Sequence, residues 1–331
     1  MQMRKRTRYS LLLVLALVGA LLVALWLRRA APPEAARLLP ESDAIVYANL
    51  VPLRVATHLE RQPVKRSPEY QQFIDATGIV AERDLNAVAL ALHRMEDPHG
   101  PNGPVGYSEV FEGKFDGARL GKYLAGISNT QEEYAGHTIY TILIEGRPLR
   151  IAQLGYDAVA ASNMPTTEQI HAMLDHYRAA ASPFSGSSLL AAHYHDVPLL
   201  SAAWGIGHMG LPFTESGKIT VFGLQLPLPE DTTFVASVGY GVSALHLRIE
   251  ELAANEADAG RSTEDLGSLL RVFQAMQPAL AGHSHSADDA AMRQMVESIK
   301  IEQHKDRAVL TASVPLELAK RLAVPPPAVA P

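Results

Sequence analysis

Apolar positions run unbroken from Leu11 to Leu27, and no other stretch of the chain is like it. At a helical rise of about 1.5 Å per residue, this run with Tyr9 and Ser10 just crosses a hydrocarbon core about 30 Å thick. The pattern predicts a transmembrane helix over residues 9–29 after a basic tail over residues 1–8. A cleaved signal peptide would carry a shorter apolar stretch, about 7–15 residues, ending in a small-x-small site. Here Arg28 and Arg29 occupy the cleavage position, so the segment reads as a retained anchor. Arg4, Lys5, Arg6 and Arg8 precede it and only two basic residues follow. That bias points the N-terminus into the cytoplasm and the body across the membrane. The expected location is the inner membrane, single-pass, with the body in the periplasm or outside.

Beyond the anchor the apolar positions fall into short runs with strand or helix period. Residues 30–36 (AAPPEAA) read as a linker too proline-rich for a continuous helix, and residues 324–331 (VPPPAVAP) as a polyproline-like tail. Strands are predicted at Asp43–Leu50, Ala87–Leu92, Val105–Phe115 and Ala158–Ser162, and Thr138–Ile144 pairs with Leu149–Leu154 across the turn Glu145–Pro148. Ser67-Pro68 opens a helix that Gly78 closes, and Asp116 caps another carrying Leu120, Tyr123 and Leu124. Thr166 and Gln169 stand at capping-box spacing before a stripe of Ile170, Met173, Leu174 and Tyr177.

In the second half Ile219–Leu226 and Phe234–Ile249 are strand candidates, the latter turning at Gly239–Gly241 and passing into a helix near Leu245. Ser262 and Asp265 open a helix, another follows His285, Ile299–His304 and Ala308–Val314 form a hairpin, and Pro315 starts the last helix. Short links favour antiparallel pairing. The fold class expected is α+β, mostly antiparallel sheet packed with helices after the N-terminal transmembrane helix. Residues 37–210 and 211–323 are its two candidate units. A shared L-x-K-x-L-A, in Phe115–Ala125 and again in Val314–Ala323, is the one hint that these units are related.

Charge and composition then remove several classes of function. Six of the 29 basic residues flank the anchor, leaving 23 against 35 acidic residues in the body, a net of −12. Such a surface repels phosphate backbones, so nucleic-acid binding is not expected. The chain has no cysteine, which excludes thiolate zinc sites and iron–sulfur clusters. It also suits an oxidising compartment.

Leu39-Pro40-Glu41-Ser42-Asp43-Ala44-Ile45-Val46-Tyr47, Glu112-Gly113-Lys114-Phe115-Asp116 and Tyr134-Ala135-Gly136-His137, with Tyr140 beyond, are motifs that mark entries into strands and helices. In these motifs the first half of the body resembles membrane-anchored envelope proteins of bacteria. The resemblance implies an anchored envelope protein and carries no activity with it.

Motifs with chemical meaning are sparse. Gly205-Ile-Gly-His-Met-Gly210, with Asp231 further on, matches a dinucleotide fingerprint in letters. That site needs a helix opening at the third glycine, and Leu211-Pro212 follows instead, so the segment reads as a glycine-rich loop. Gly217-Lys218 lacks the glycine spacing of a phosphate loop. His193 with His195, and His283 with His285, stand two apart, which in a strand puts both imidazoles on one face. With His208 or Asp196 either pair could hold zinc or copper, but the first does not continue into the H-x-H-x-D-H pattern of metallohydrolases and the second lies in the polar stretch Gly282–Asp289, so both read as solvated loop histidines. His171 and Asp175 read as a surface pair four apart on a helix. Glu250-Glu251 and Asp288-Asp289 read as helix-end or surface charges, not as an acid/base couple. No G-x-S-x-G elbow occurs, and Ser185-Gly-Ser-Ser188 has no supporting context. No catalytic residue and no cofactor is therefore predicted.

The reading is a membrane-anchored, non-enzymatic binding or envelope-scaffold module, with an envelope protein as its expected partner. The alternative is an anchored periplasmic hydrolase or metal-dependent enzyme with a dispersed active site. Ala16, Ala20 and Ala24 line one face of the anchor beside Gly19. Close approach over small residues makes this a candidate self-association face.

Overall fold

The computed structural model describes residues 31–57, 66–100, 103–179, 186–208, 218–221, 224–227, 232–241, 243–280 and 287–322. The predicted anchor, the polyproline-like tail and His283 with His285 lie outside them. No helix among the described residues is long and apolar enough to cross a membrane.

The body opens with α1 (Glu34–Leu38), β1 (Ala44–Asn49), α2 (Leu50–Thr57), α3 (Pro68–Thr77), α4 (Ala81–Asp84), β2 (Leu85–Arg94) and β3 (Val105–Gly113). Helix α5 (Gly117–Ile127) leads to β4 (Thr130–Tyr134), β5 (His137–Ile144), β6 (Arg147–Gln153), β7 (Ala158–Ser162), α6 (Glu168–Ala179) and α7 (Ser188–His193). A 3-10 turn at Tyr194–Asp196 precedes β8 (Ala203–His208), and β9 (Lys218–Val221) and β10 (Leu224–Pro227) form a separate hairpin. The chain continues through β11 (Thr233–Tyr240), β12 (Ala244–Leu252), α8 (Glu256–Leu280), α9 (Ala287–Glu297), β13 (Lys300–His304), β14 (Arg307–Pro315) and α10 (Leu316–Leu322).

Twelve strands make one sheet in the order β13-β14-β12-β11-β8-β1-β2-β3-β7-β6-β5-β4, with every neighbouring pair antiparallel. The α+β expectation is met, and the division expected at residue 210 falls within this continuous sheet. From the central β1–β8 pair the same path runs twice. Each half goes outward through three strands, crosses over by helix to the sheet's edge, and returns to lay its last strand beside its third. In the first half α5 makes the crossing and β7 docks on β3; in the second α8 and α9 cross and β14 docks on β12. The shared L-x-K-x-L-A does not trace this repetition, because it falls on α5, a crossover helix, and on α10, which follows a last strand.

Alternation along the strands sorts the core. One face presents Ile45, Ala89, Ala91, Val110 and Ile206, covered by Leu38 of α1, by Ile170, Met173 and Leu174 of α6, and by Leu190 of α7. The alanines of β2 leave room for α1 to lie close against the sheet. On the other face Leu120 and Leu124 of α5 pack with Ile79 and Val159. The caps are as predicted: Ser67 accepts from Tyr70 N, Asp116 accepts from Arg119 N, and Gly78 takes the left-handed conformation at φ 77°.

Several sequence expectations need correction. Residues 34–38 are helical rather than linker, and Ala35 and Ala36 are wholly buried, with Ala35 N donating to Glu112 at 2.7 Å. Tertiary contact supplies what a short proline-led segment lacks by itself. The Gly205–Gly210 segment is not a loop as far as His208: Gly205 and Gly207 lie in β8, where a Cβ on Gly207 would overlap Ala44 and sit 2.8 Å from Asp43 O. The glycine serves close strand pairing. No helix forms near Leu245, since β12 runs from Ala244 to Leu252. Helix α8 starts earlier than Ser262, at Glu256, where Asn255 Oδ1 accepts from Ala257 N and Asp258 N. Pro315 ends β14 instead of starting α10.

Candidate functional site

Strand β12 alternates Leu245, Leu247 and Ile249 with His246, Arg248 and Glu250, so the second set shares one face. Pairing brings Ser237, Arg248, Thr311 and Lys300 into one row across β11, β12, β14 and β13. With about 4.8 Å between strands, the row is about 14 Å long. The next row holds Gly239, His246 and Ser313, with Ser298 just ahead of β13. These rows and the loop at Pro198–Ser201 line a cavity of about 370 Å³.

The loop is a tight turn. Ser201 donates to Pro198 O from its backbone N–H at 3.3 Å and from its hydroxyl at 2.7 Å, and Leu200 takes a φ of 67°. A leucine in the left-handed region is strained, and the turn holds Leu199 exposed at the rim. Ser237 is buried on the floor. Ser313 Oγ lies 3.3 Å from His246 Nδ1, and the His246 ring lies against Gly241, where a side chain would collide with it. Arg248 Nε donates to Glu250 at 2.6 Å. Its two terminal nitrogens, Lys300 Nζ and the hydroxyls of Ser237 and Thr311 have no hydrogen-bond partner among the described residues.

One row inward a charge network supports this wall. Arg307 donates to Glu250 at 3.1 Å and pairs with Asp196 at 2.8 Å, and both carboxylate side chains are only 6% exposed. Burial works against the charge on Arg307, but bonding to Asp196 and Glu250 outweighs it and raises its pKa above the usual arginine value. Glu302, on the same face of β13, pairs with His304 at 3.5 Å. Asp196 and Glu250 are thus engaged, while Arg248 and Lys300 keep donors free at the cavity.

His193 and His195 do meet Asp196, at 3.6 and 3.3 Å, although a helical turn brings them together and not a strand face. Arg307 already occupies that carboxylate. His208 is elsewhere, 3.4 Å from Thr233 Oγ1. Among the described residues no group of three or more His, Cys, Asp or Glu is placed to hold a metal ion. His171 and Asp175 are not partners of each other. His171 stacks on Tyr134 at 3.8 Å and bonds Glu132, while Asp175 accepts from the Tyr134 hydroxyl at 2.9 Å. Glu250 and Glu251 are strand residues on opposite faces, not helix-end charges, and Glu251 accepts from Ser262 of α8. Burial pushes the Glu251 carboxyl up, with the Ser262 bond opposing.

Two other groupings belong to the scaffold. His93 Nε2 lies 3.0 Å from Ser108 Oγ, which lies 3.2 Å from Ser162 Oγ. This arrangement looks like a base and a nucleophile, but both serines are buried in the core and no substrate reaches them. A shallow cleft of about 510 Å³ is lined by Arg83, Arg119 and Asp84 among others. There Arg119 closes the end of α3 by donating to Asp75 O and Ala76 O, and Arg83 is bonded to Asp84.

The row of Ser237, Arg248, Thr311 and Lys300 is absent from the sequence-based candidates. Its trace in the chain is the alternation Leu-His-Leu-Arg-Ile-Glu over residues 245–250, which marks a strand with one polar face.

No protein-family model matches this chain, and no curated protein matches it. Among solved structures, the chain is similar to crystal form III of TP0453 at 10% identity and a TM-score of 0.47, over 88% of this chain and 98% of that one. Crystal form IV of TP0453 gives 10% identity and a TM-score of 0.46 over 87% and 96%. The class that the geometry itself defines is an α+β protein built on one large antiparallel sheet.

Proposed function

We propose that this protein is a membrane-anchored extracytoplasmic binding module and not an enzyme. The observation that carries the reading is the cavity beside Pro198–Ser201, where free donors of Arg248, Lys300, Ser237 and Thr311 converge on a rigid sheet floor. Rigid strands position such groups more accurately than loops do. The accompanying chemistry suits holding a ligand: cations and hydroxyls line the cavity, while Glu250, next along the same face of β12, is held by Arg248 and Arg307. The apolar run Leu11–Leu27 and its basic flank support the anchored, exported arrangement.

A reporter active only outside the cytoplasm, fused after Pro331, tests the topology, together with N-terminal analysis of the purified chain. Activity and an intact N-terminus are expected. An inactive reporter, or a mature chain starting near Ala30, would refute the anchored reading. Affinity capture from detergent-solubilised native membranes tests the binding role, and an envelope protein is the expected catch.

A further inference from the structure

We infer that the cavity between the Pro198–Ser201 turn and the β11–β14 floor is an oxyanion site, taking a small organic molecule by its carboxylate or phosphate group. The inference rests on the binding-module reading and names the ligand chemistry of the same cavity. Its first support is the donor set. Arg248 offers two terminal N–H₂ groups, and its Nε is already fixed by Glu250 at 2.6 Å, so the guanidinium is held before any ligand arrives. A held guanidinium loses little freedom on binding and presents a fork that fits an oxyanion. Lys300 lies two strands away in the same row, with the Thr311 hydroxyl between them, and Ser237 flanks Arg248 on its other side.

The second support is the sign of the charge. The body carries a net of −12, yet among the described residues no carboxylate lines this cavity. Glu250 is shared between Arg248 and Arg307, and Asp196 is taken by Arg307. The network therefore alternates in sign from Asp196 outward and ends in cations at the cavity. An anion repelled by the general surface finds local attraction there, strengthened by the partial exclusion of water. A cation meets no acceptor carboxylate among the described lining residues. The third support is shape. About 370 Å³ exceeds what a bare inorganic ion fills, and Leu199 at the rim offers apolar contact to a carbon skeleton.

The test is calorimetric titration of the full chain in detergent, with inorganic phosphate in one arm and succinate in the other. Ionic strength is matched with chloride throughout. Saturable binding of either anion is expected, and the arm that binds tells a tetrahedral head from a planar one. Lys300→Ala removes a cation with no internal partner among the described residues and should weaken binding about tenfold or more. Arg248→Lys keeps a charge beside Glu250 but removes the fork and should weaken it similarly. Unchanged melting temperatures in both variants would show that the fold is kept. Absence of saturable binding in both arms, an equal effect of chloride, or unaltered affinity in both variants would overturn the site. Those failures in a chain whose body is still exported would leave the anchored-module reading standing. Anion binding by a chain with a cytoplasmic body would keep the site and refute the anchored arrangement.

Discussion

Arg307→Met probes the charge network beneath the proposed site. Arg307 sits between two carboxylates whose side chains are each 6% exposed, and it is itself 31% exposed. Methionine fills similar volume without charge, so the variant leaves Asp196 and Glu250 facing each other with reduced compensation. Removing one member of a buried pair costs roughly 3–5 kcal/mol. Here Arg248 still holds Glu250 and His195 still neighbours Asp196, so the expected loss is smaller, about 2–3 kcal/mol. With a urea m-value of about 3 kcal/mol/M, the midpoint should fall by nearly 1 M. One control separates this cause from lost packing. The triple change Arg307→Met, Asp196→Asn, Glu250→Gln should recover most of the loss, as replacing a whole buried ion group often does. A loss below about 0.5 kcal/mol, the range of ordinary surface substitutions, or one that the triple change leaves in place would refute the electrostatic account.

Three further outcomes are expected. Gly207→Ala should destabilise the body by about 3 kcal/mol or more in urea melts, because the added Cβ meets Ala44 and Asp43 backbone across the central β1–β8 pair. Met173→Ala, which empties a wholly buried position of α6, should cost about 2–5 kcal/mol by the same measurement. Glu109→Gln should be more stable than the parent at neutral pH. Burial raises the Glu109 pKa in the folded state, so the parent is favoured while the group is protonated and loses that advantage as pH rises through the folded value. Melting curves of the two should therefore converge below about pH 4, where the carboxyl becomes protonated in both states, and parallel curves across that range would contradict it.

Local signals are legible wherever one residue and its near neighbours decide the outcome. Ser67, Asp116 and Gly78 cap helices because a side chain or a left-handed backbone satisfies groups three or four positions away. The β5–β6 and β13–β14 hairpins follow from their short turns. The departures from expectation have a common physical origin. Glycines in β8 look like a loop until Ala44 and Asp43 lie against Gly207. Proline-led residues 34–38 look like a linker until Ala35 and Ala36 are buried. His193 and His195 look like strand neighbours in the sequence because spacing is meaningful only once the local conformation is known.

The amino-acid sequence alone determines the apolar run Leu11–Leu27, the absence of thiol chemistry, the acidic body and the alternation that makes the short strands. Each follows from composition or from contacts a few residues apart. Only the tertiary structure decides that β1 pairs with β8, that β14 docks on β12, and hence that Arg248, Thr311 and Lys300 stand side by side. The β1–β8 and β12–β14 partners are some fifty to one hundred and sixty residues apart in the chain. Their register depends on which faces are buried together, and a slip of a single residue would turn the whole row to the other side of the sheet.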